Sequence, residues 1–518
     1  MPMSDVKHDS QRMEKIVSLC KRRGFIFQSS EIYGGLNGAW DYGPLGVELK
    51  RNLKDYWWRT MVHERDDVVG LDGAILTHRA VLKASGHEDT FSDPMVECPI
   101  TKKRYRADTI ELQSGLVFEF TGARNEEGKS SSESFEVLIP QGKPRESAEK
   151  VARQFYEQRG ISSPQLAGGA ECRRVENSNL YAPETGARLG APRPFNLMFK
   201  THMGATEDES SIAYLRPETA QSIFVQFKNV LDVSRKKLPF GIAQIGKAFR
   251  NEINPRNFTF RSREFEQMEV EYFCRPEQGL ELLEYWKEER LKFYENIGIK
   301  RDHLYVKAVS DDERAFYSKG TYDIEYAFPF GVQELEGVAY RTDYDLSQHQ
   351  KASGKPLEYF DEEAKQKFIP HVVEPSAGVD RTVLALICEA YDEDTAPDDK
   401  GKQETRIVLR FSPRMAPIKC AIFPLLKNKE SLVAKAKEIV RLLRPHMHVF
   451  YDETGAIGRR YRRQDEIGTP FGVTVDFDTL GEKGEELRDT VTLRERDSMK
   501  QERVKITDLV ALLCARIS

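Results

Sequence analysis

Hydrophobic positions recur at helical spacing in several stretches of this 518-residue chain. Residues 12–25 predict a short helix that ends at Gly24, and residues 278–297 predict a longer amphipathic one. Between them, another helical stripe is formed by Leu49, Leu53, Tyr56, Trp57 and Met61. A strand near 68–71 follows this stripe. The aromatic pair within it suits either a core or a surface that pairs with a second copy.

The last quarter of the chain has a different hydrophobic pattern, in which short apolar runs alternate with helical stretches. The predicted strands and helices, in chain order, span 420–425, 429–443, 448–451, 456–467, 472–476, 490–496 and 507–516. This alternation predicts a small α/β domain with a mostly parallel sheet.

Two stretches break the apolar pattern. Residues 121–150 are polar and rich in Ser, Glu and Gly, so they predict a loop or insertion outside the main core. Residues 391–405 are acidic and lack hydrophobic periodicity, and we interpret them as the main interdomain connection. The chain is therefore expected to divide into residues 1–405 and 406–518.

Composition narrows the class of protein. A hydrophobic fraction of 39% and a charged fraction of 31% fit a globular protein without a membrane-spanning segment or an apolar leader. The seven cysteines form no C-x-x-C pair, which argues against a disulfide framework and favours a reducing cytoplasm. The net charge of −5 leaves nucleic-acid binding open, because local basic clusters such as residues 458–464 decide it. That cluster is either an RNA contact or a solvated helix face.

Residues 249–271, FRNEINPRNFTFRSREFEQMEVE, interleave arginines and glutamates around an Asn-Pro turn. If both arms are extended, Arg250 and Glu252 share one face. The same alternation groups Phe265, Gln267, Glu269 and Glu271. Buried charges of both signs need partners, and a nucleotide phosphate with an amine would supply them. The alternative is an exposed hairpin with weak surface ion pairs.

Further motifs accompany this segment: YLRPETAQSIF at 214–224, QELEGVAYRTDYDL at 333–346 and EPSAGVDRTVLALICEAY at 374–391. In the last, Arg381 falls in the first turn of a predicted helix, where a cation opposes the helix dipole. That position becomes favourable if the site binds a polyphosphate. The chain has no Walker loop, G-x-G-x-x-G, H-E-x-x-H or G-x-S-x-G.

With WDYGPLGVELKRN, these fragments resemble glycyl-tRNA synthetase of the class II, homodimeric type. The resemblance runs from about Ile26 to the C-terminus and is weaker at about 107–194. It implies an α+β fold, with an antiparallel-sheet catalytic domain and a C-terminal α/β anticodon-binding domain. The three motif regions would be about 36–75, 240–273 and 374–391, with an insertion at about 107–194.

The resemblance also implies a reaction and its partners. Glycine would be activated by ATP, with Mg²⁺, and transferred to the 3′ end of tRNA(Gly) by a cytoplasmic homodimer. Excluding larger side chains is easier than rejecting smaller ones, so no editing domain is expected. Many relatives have a cysteine pair after the first motif, but Cys98 and Cys172 are isolated here. Two cysteines are too few for structural zinc, and none is expected.

Site residues follow from the resemblance position by position. Catalysis is assigned to Arg250, Glu252 and Arg381. Arg250 would hold the α-phosphate and the glycine carboxylate, and Arg381 would hold the γ-phosphate. The nucleotide site would comprise Arg250, Asn251, Glu252, Phe260, Arg261, Ser262, Arg263, Glu264, Phe265, Glu334, Leu335, Gly378, Val379, Asp380 and Arg381. Phe260 or Phe265 would stack on adenine, and Glu334 would act through Mg²⁺.

The resemblance also assigns the glycine site. Its residues would be Arg106, Glu218, Phe265, Glu266, Gln267, Met268, Glu269, Glu374, Pro375, Ser376, Ala377 and Gly378. Glu218, Glu269 and Glu374 would surround the ammonium group. Two other readings stay open at this point: a threonyl, prolyl or histidyl class II synthetase, and a noncatalytic accessory protein with the same fold.

Overall fold

The computed structural model describes residues 9–315, 318–397 and 403–518. The chain separates into two compact units. The first comprises Met1–Ser85, Thr201–Phe249 and Arg256–Ser518, and the second comprises Gly86–Lys200 with Arg250–Pro255.

The α-helices within the described ranges are α1 (Ser10–Arg23), α2 (Pro44–Trp58), α3 (Arg79–Ala84), α4 (His87–Thr90), α5 (Glu146–Glu157), α6 (Ala220–Ser234), α7 (Gly279–Asn296), α8 (Tyr344–Ser353), α9 (Val379–Ala390), α10 (Glu430–Leu443), α11 (Ile457–Ile467) and α12 (Leu509–Ile517). The predicted end of the first helix is confirmed, because Gly24 caps α1 in the left-handed conformation with φ +76°, whereas its start at Ser10 lies two residues before the predicted one. The helix predicted at 278–297 is α7.

The strands, in chain order, are β1 (Ile26–Gln28), β2 (Trp40–Tyr42), β3 (Val68–Gly70), β4 (Leu76–His78), β5 (Ser92–Glu97), β6 (Arg104–Arg106), β7 (Gln113–Arg124), β8 (Ser130–Ser131), β9 (Phe135–Ile139), β10 (Gln165–Ser178), β11 (Arg193–Asn196), β12 (Lys200–His202), β13 (Ile212–Leu215), β14 (Phe240–Phe249), β15 (Glu264–Cys274), β16 (Leu304–Ala308), β17 (Gly320–Phe328), β18 (Gly331–Thr342), β19 (Tyr359–Asp361), β20 (Gln366–Phe368), β21 (His371–Gly378), β22 (Tyr391–Pro397), β23 (Gln403–Leu409), β24 (Cys420–Pro424), β25 (Val449–Tyr451), β26 (Phe471–Val475), β27 (Thr490–Glu495) and β28 (Gln501–Lys505).

A seven-stranded sheet organises the first unit in the order β16-β17-β18-β21-β15-β14-β3. Neighbouring strands are antiparallel except β14 and β3, which are parallel. The central strand β15 places Glu269 opposite Gln244 on β14 and opposite Ser376 on β21. This is the antiparallel sheet predicted for the larger domain.

Strand β15 is buried on both faces from Gln267 onward. Met268, Val270 and Tyr272 belong to the main hydrophobic cluster with residues of α2, α7 and α9. On the other face, Phe273 packs with Phe227 and Phe240. Because side chains alternate, Gln267, Glu269 and Glu271 continue that second face beyond its apolar end. The predicted grouping of these three side chains is confirmed.

The other arm of the charged segment differs from the prediction. Strand β14 ends at Phe249, so the expectation that Arg250 and Glu252 continue an extended arm is wrong. The Glu252 N–H donates to the Arg250 carbonyl at 2.7 Å, and the Asn251 N–H donates to the Leu197 carbonyl at 2.7 Å. This tight turn is incompatible with strand alternation.

Residues 121–150 are not a loop, so that part of the prediction is wrong, but they do lie outside the main core. They contain the end of β7, then β8 and β9 and the start of α5, all within the second unit. Phe135 and Val137 face this unit's own hydrophobic cluster, where Phe135 stacks on Phe155 at 3.8 Å. The apolar run FEVLI was too short to stand out between polar neighbours.

Residues 391–397 and 403–409 form an antiparallel hairpin of β22 and β23, so the described part of the predicted connection has regular secondary structure. Residues 398–402 lie outside the described residues. Asp394 pairs with Arg406 and Arg410, and Arg406 also reaches Asp465 at 2.8 Å. Ion pairs take the place of alternating apolar side chains in this hairpin, which is why its sequence lacks hydrophobic periodicity.

The C-terminal sheet has the order β25-β24-β26-β27-β28. Strands β24, β25 and β26 are parallel, whereas β26-β27 and β27-β28 are antiparallel. The sheet is therefore mixed rather than mostly parallel, and the polar edge strand β28 had not been predicted. The other predicted C-terminal strands and helices agree with the structure within about two residues.

Candidate active site

Glu269 lies at the centre of a polar cluster on the second face of β15 and is 2% exposed. The Ser376 hydroxyl donates to its Oε1 at 2.7 Å, and the Thr219 hydroxyl donates to its Oε2. The Thr219 N–H in turn donates to Gln267 at 3.2 Å. Three segments, β15, β21 and the turn before α6, therefore meet at one carboxylate.

The turn before α6 is anchored by Arg216, which is buried. Its Nε donates to the Lys247 carbonyl at 2.7 Å, and its Nη1 donates to the Gly73 carbonyl at 2.8 Å. A side chain at Gly246 would overlap this guanidinium, so glycine is required at that position of β14. Anchoring by Arg216 holds Glu218 at the edge of the cluster.

A second carboxylate, Glu374 on β21, is oriented by Arg341. Arg341 Nη1 lies 2.7 Å from Glu374, and its Nε and Nη2 lie 2.8 and 2.9 Å from the two oxygens of Asp345. Gln221 Nε2 donates at 3.0 Å both to Asp345 and to Glu218. One hydrogen-bonded network therefore links all of these side chains.

Glu271 completes the cluster, with no exposed surface. One oxygen from each of Glu269, Glu271 and Glu374 lies within 4.8 Å of the other two. These oxygens are close enough together to surround one small cation.

Burial and mutual repulsion dominate the electrostatics. Burial, followed by the charges of Glu374 and Glu218, raises the pKa of Glu269 to about 8. Burial and the same kind of repulsion raise the pKa of Glu271 well above its ordinary value. Burial also raises the pKa of Glu374, although Arg341 acts in the opposite direction. An added cation would relieve this repulsion.

Arg381 marks a second subsite at the N-terminal turn of α9. Its guanidinium lies 4.6 Å from the centre of the Phe260 ring, and its Nη1 lies 3.2 Å from Glu334. Phe260 is buried and packs edge-on against Phe328 and Phe330. An arginine with a helix N-terminus suits a polyphosphate group.

Acidic side chains adjoin Arg381 on β17 and β18. Glu334 pairs in register with Glu325, and Asp323 lies two residues before Glu325. Burial, followed by the charge of Glu334, raises the pKa of Asp323 to about 6. A divalent cation would favour the ionised form of Asp323.

Comparison with known proteins shows the family to which this chain is similar. Residues 199–391 match the tRNA synthetase class II core domain (G, H, P, S and T), and residues 419–516 match the anticodon binding domain. A glycine–tRNA ligase from Thermus thermophilus is 49% identical over 530 residues, covering 98% of this chain and 99% of that protein. The chain belongs to the glycine–tRNA ligase family. The corresponding enzymes of Rhodopirellula baltica and Thermobifida fusca are 46% and 48% identical, with the same shares covered.

The predicted α+β class II synthetase fold with an anticodon-binding domain is thereby confirmed, as is the prediction of an aminoacyl-tRNA synthetase. Among the described residues, no helix is both long and apolar enough to cross a membrane.

Within this member of the ligase family, two predicted site residues are engaged by α2. Glu266 lies 2.7 Å from Lys50 and 3.0 Å from Lys54. Asp380 lies 2.8 Å from Lys50, accepts from the Tyr42 hydroxyl at 2.6 Å, and accepts from the Glu266 N–H at 2.7 Å. These carboxylates tie motif segments together on the side of the sheet opposite Glu269.

Other predicted residues contribute mainly backbone or core. Met268, Leu335, Ala377 and Val379 are buried in the main hydrophobic cluster. Pro375 is buried on the same alternating face of β21 as Ala377, while Ser376 and Gly378 remain half-buried.

Residues of the connection between β14 and β15 are held by neighbouring groups. Arg263 donates to the Gly38 and Asn37 carbonyls, Arg261 and Arg256 exchange backbone hydrogen bonds, Ser262 is buried near Thr259, and Glu264 pairs with Lys247.

The second unit contains the remaining predicted residues. Arg106 Nη2 lies 2.6 Å from Asp108, and its Nη1 lies 3.3 Å from Asp93. The hydrogen bond to Asp108 raises the pKa of Arg106, and Glu252 adds to the shift. The Arg250 guanidinium lies 5.3 Å from the centre of the Phe91 ring. Arg106 and Glu252 therefore belong to the same cluster of charged side chains within this unit.

The basic cluster on α11 is divided between structure and surface. Arg460 is 2% exposed and donates to the Gly455 carbonyl at 2.7 Å, whereas Arg459 is exposed. Arg463 lies 2.5 Å from Asp452. Only part of the cluster is therefore available to a ligand.

Sequence reasoning missed three site residues, Thr219, Glu271 and Arg341. Thr219 and Arg341 lie in motifs that the sequence had singled out, but their side chains were not assigned. Glu271 had been grouped with Glu269 by strand alternation, and that alternation was sufficient to find it.

Proposed function

We propose that the chain activates glycine with ATP and transfers it to the 3′ end of tRNA(Gly). The observation that carries this proposal is the carboxylate cluster of Glu218, Glu269 and Glu374, in which Glu269 is buried and accepts a hydrogen bond from the Ser376 hydroxyl. Carboxylates that can hold an ammonium, between closely packed strands, suit the smallest amino acid. Exclusion of a β-carbon then gives specificity.

The reacting groups are proposed to meet at Arg250, which follows β14 directly. Its planar fork would bind the glycine carboxylate and the α-phosphate together while carboxylate oxygen attacks phosphorus and pyrophosphate leaves. Asn251, Glu252 and Arg106 would complete this group. Positioning and charge neutralisation are the main demands of such a transfer.

Arg381 is proposed to hold the γ-phosphate of the nucleotide. Of the two candidate aromatics, Phe265 is favoured for adenine stacking because it is half-buried, whereas Phe260 already packs against Arg381 and two phenylalanines. The residues predicted between them would contribute backbone contacts.

Mg²⁺ is proposed to bind through Glu334, with Asp323 close by on β17. Hard oxygen donors suit Mg²⁺, and the raised pKa of Asp323 indicates a local excess of negative charge that a cation would relieve. When bound, the ion would neutralise phosphate charge. We propose no zinc site.

Binding of tRNA is assigned to the C-terminal region, residues 406–518, with residues 1–405 as the catalytic region. The two family matches, at 199–391 and 419–516, support this division. Exposed Arg459 on α11 is the proposed contact, because a phosphate backbone attracts surface arginines.

A homodimer is proposed, but not from the aromatic stripe on α2. Tyr56 stacks on Phe293 and Trp57 is 1% exposed, so that stripe belongs to the core of one chain. Support comes instead from the loop before β2, where Ile32, Tyr33 and Leu36 are 88%, 87% and 57% exposed. An exposed apolar patch is typical of a protein interface.

The proposed compartment is the cytoplasm. All seven cysteines are free, and five of them are buried. Free thiols are typical of proteins in a reducing environment.

The experiment that tests the function is ATP–pyrophosphate exchange with each amino acid in turn. Exchange with glycine alone supports the proposal. Exchange with threonine, proline or histidine would select another class II activity, and no exchange with any amino acid would favour a noncatalytic accessory protein. Glu269→Gln provides the control, because it should remove exchange while the protein remains folded.

A further inference from the structure

Glu271 is the member of the carboxylate cluster that the proposed reaction does not use. Its exposure is zero, and neither oxygen receives a hydrogen bond from any donor within residues 9–315, 318–397 and 403–518. Glu269 differs, because two hydroxyl groups donate to it, and Glu374 differs, because Arg341 does. The three glutamates therefore differ in the hydrogen bonds that their side chains accept.

An ionised carboxylate without donors is very costly in such a place, whereas the protonated form is tolerated. The groups that face Glu271 are the acceptors Glu374 and Glu269 and the guanidinium of Arg341. Two carboxyl groups can form a hydrogen bond only when one of them carries a proton. Burial and both neighbouring glutamates raise the pKa of Glu271, and Arg341 opposes them only in part.

We infer that Glu271 is a positioning residue that carries a proton and donates it in a hydrogen bond to Glu374. The bond leaves Glu374 ionised, fixed between Glu271 and Arg341, with its remaining lone pairs available to an amine. This inference rests on the proposed function in one respect, namely that the amine is the glycine ammonium.

Charge balance favours the same arrangement. Arg341 is shared between Glu374 and Asp345, which leaves the pocket with an excess of negative charge even before Glu271 is counted. A further ionised carboxylate at Glu271 would increase this excess, and the single ammonium of glycine could not remove it. A neutral Glu271 leaves the excess unchanged.

Two substitutions separate this role from others. Glu271→Gln keeps a neutral N–H donor of similar shape, whereas Glu271→Met keeps the volume and removes the donor. We expect Glu271→Met to raise the KM for glycine about 10- to 100-fold, the usual effect of losing a hydrogen bond to a charged group. Glu271→Gln should recover most of that loss, and the KM for ATP should stay constant in both variants.

The spectroscopic test does not depend on turnover. The infrared difference spectrum between the wild-type protein and Glu271→Gln should show a protonated carboxyl band at pH 7. Glu269→Gln is the matched comparison in the kinetic assay, because it removes a charge that the ammonium needs.

Three results would overturn the inference: equal losses in Glu271→Gln and Glu271→Met, no loss in Glu271→Met, or a carboxylate band at pH 7 in place of the acid band. Failure of the wild-type protein to exchange pyrophosphate with glycine would instead contradict the proposed function. In that event the infrared band still reports whether Glu271 carries a proton.

Discussion

Arg341 Nη1 lies 2.7 Å from the carboxylate of Glu374, in a pocket where only 4% and 12% of the two side chains are exposed. Because the same guanidinium also holds both oxygens of Asp345, its plane is fixed, and with it the direction in which Glu374 faces. A planar fork is needed for this geometry, and a lysine cannot provide it.

Arg341→Lys should therefore raise the KM for glycine by more than about tenfold, since one of the hydrogen bonds to a charged partner is lost. Pyrophosphate exchange at varied glycine concentration measures this effect. Arg290→Lys is the matched control. Arg290 also forms a buried ion pair, at 2.6 Å from Glu336, and that pair lies outside the cluster. The control should lower the melting temperature and leave the KM for glycine unchanged. Equal effects on glycine in both variants would contradict the assignment.

Glycine affinity should increase with pH between about 6 and 8. Burial raises the pKa of Glu269 to about 8, so the free site is protonated at neutral pH and must release a proton to accept an ammonium. Binding coupled to one proton changes by about tenfold per pH unit. Calorimetry in buffers of different ionisation enthalpy measures the released proton, and Glu269→Gln should abolish the release.

The same shift predicts the sign of a stability change. A carboxyl group whose pKa is higher in the folded than in the unfolded protein stabilises the fold fully below its ordinary value of 4.5 and loses that contribution as the pH rises toward 8. Glycine should therefore raise the melting temperature more at pH 8 than at pH 6. A glycine effect of equal size at both pH values would argue against a titrating Glu269.

Arg381→Ala should raise the KM for ATP by about 10- to 100-fold, because a charge-assisted contact with a phosphate is lost. Glycine binding measured without ATP should not change. Arg301→Ala, an exposed arginine on the same unit, serves as the control with no effect. If glycine binding without ATP also weakened, Arg381 would have to be placed in the amino-acid site instead.

Arg459→Glu should weaken tRNA binding and reduce its salt dependence while leaving glycine-dependent pyrophosphate exchange intact. Filter binding at several salt concentrations measures the first effect. Arg444→Glu introduces the same charge change at an exposed position after α10 and should affect binding less. The buried Arg460 is unsuitable for this test, because its loss would disturb the backbone carbonyls that it holds. Equal weakening by both variants would indicate a general charge effect.

Strand alternation was enough to predict that Glu269 and Glu271 share a face, because a strand buried on both faces obeys it strictly. Strand alternation failed to predict the position of Arg250, because a turn at Glu252 ends the strand pattern. Backbone turns of this kind are hard to predict from residue type. Glu266 and Asp380 were assigned to ligands by resemblance, whereas the structure pairs them with Lys50. Ion pairs between segments separated by hundreds of residues are not visible in local sequence. The acidic arm of the β22-β23 hairpin was taken for a linker because ion pairs, such as Asp394 with Arg406, replace hydrophobic alternation there.

The two-faced burial of β15 has a consequence for how the chain can vary. A shift of one residue in its pairing would move Met268 and Val270 into the polar cluster and press Glu269 and Glu271 into the apolar core. Both faces of β15 therefore disfavour a shifted pairing, so two separate sets of contacts specify the correct one. An insertion or deletion within β15 would therefore disrupt the fold and the binding pocket together.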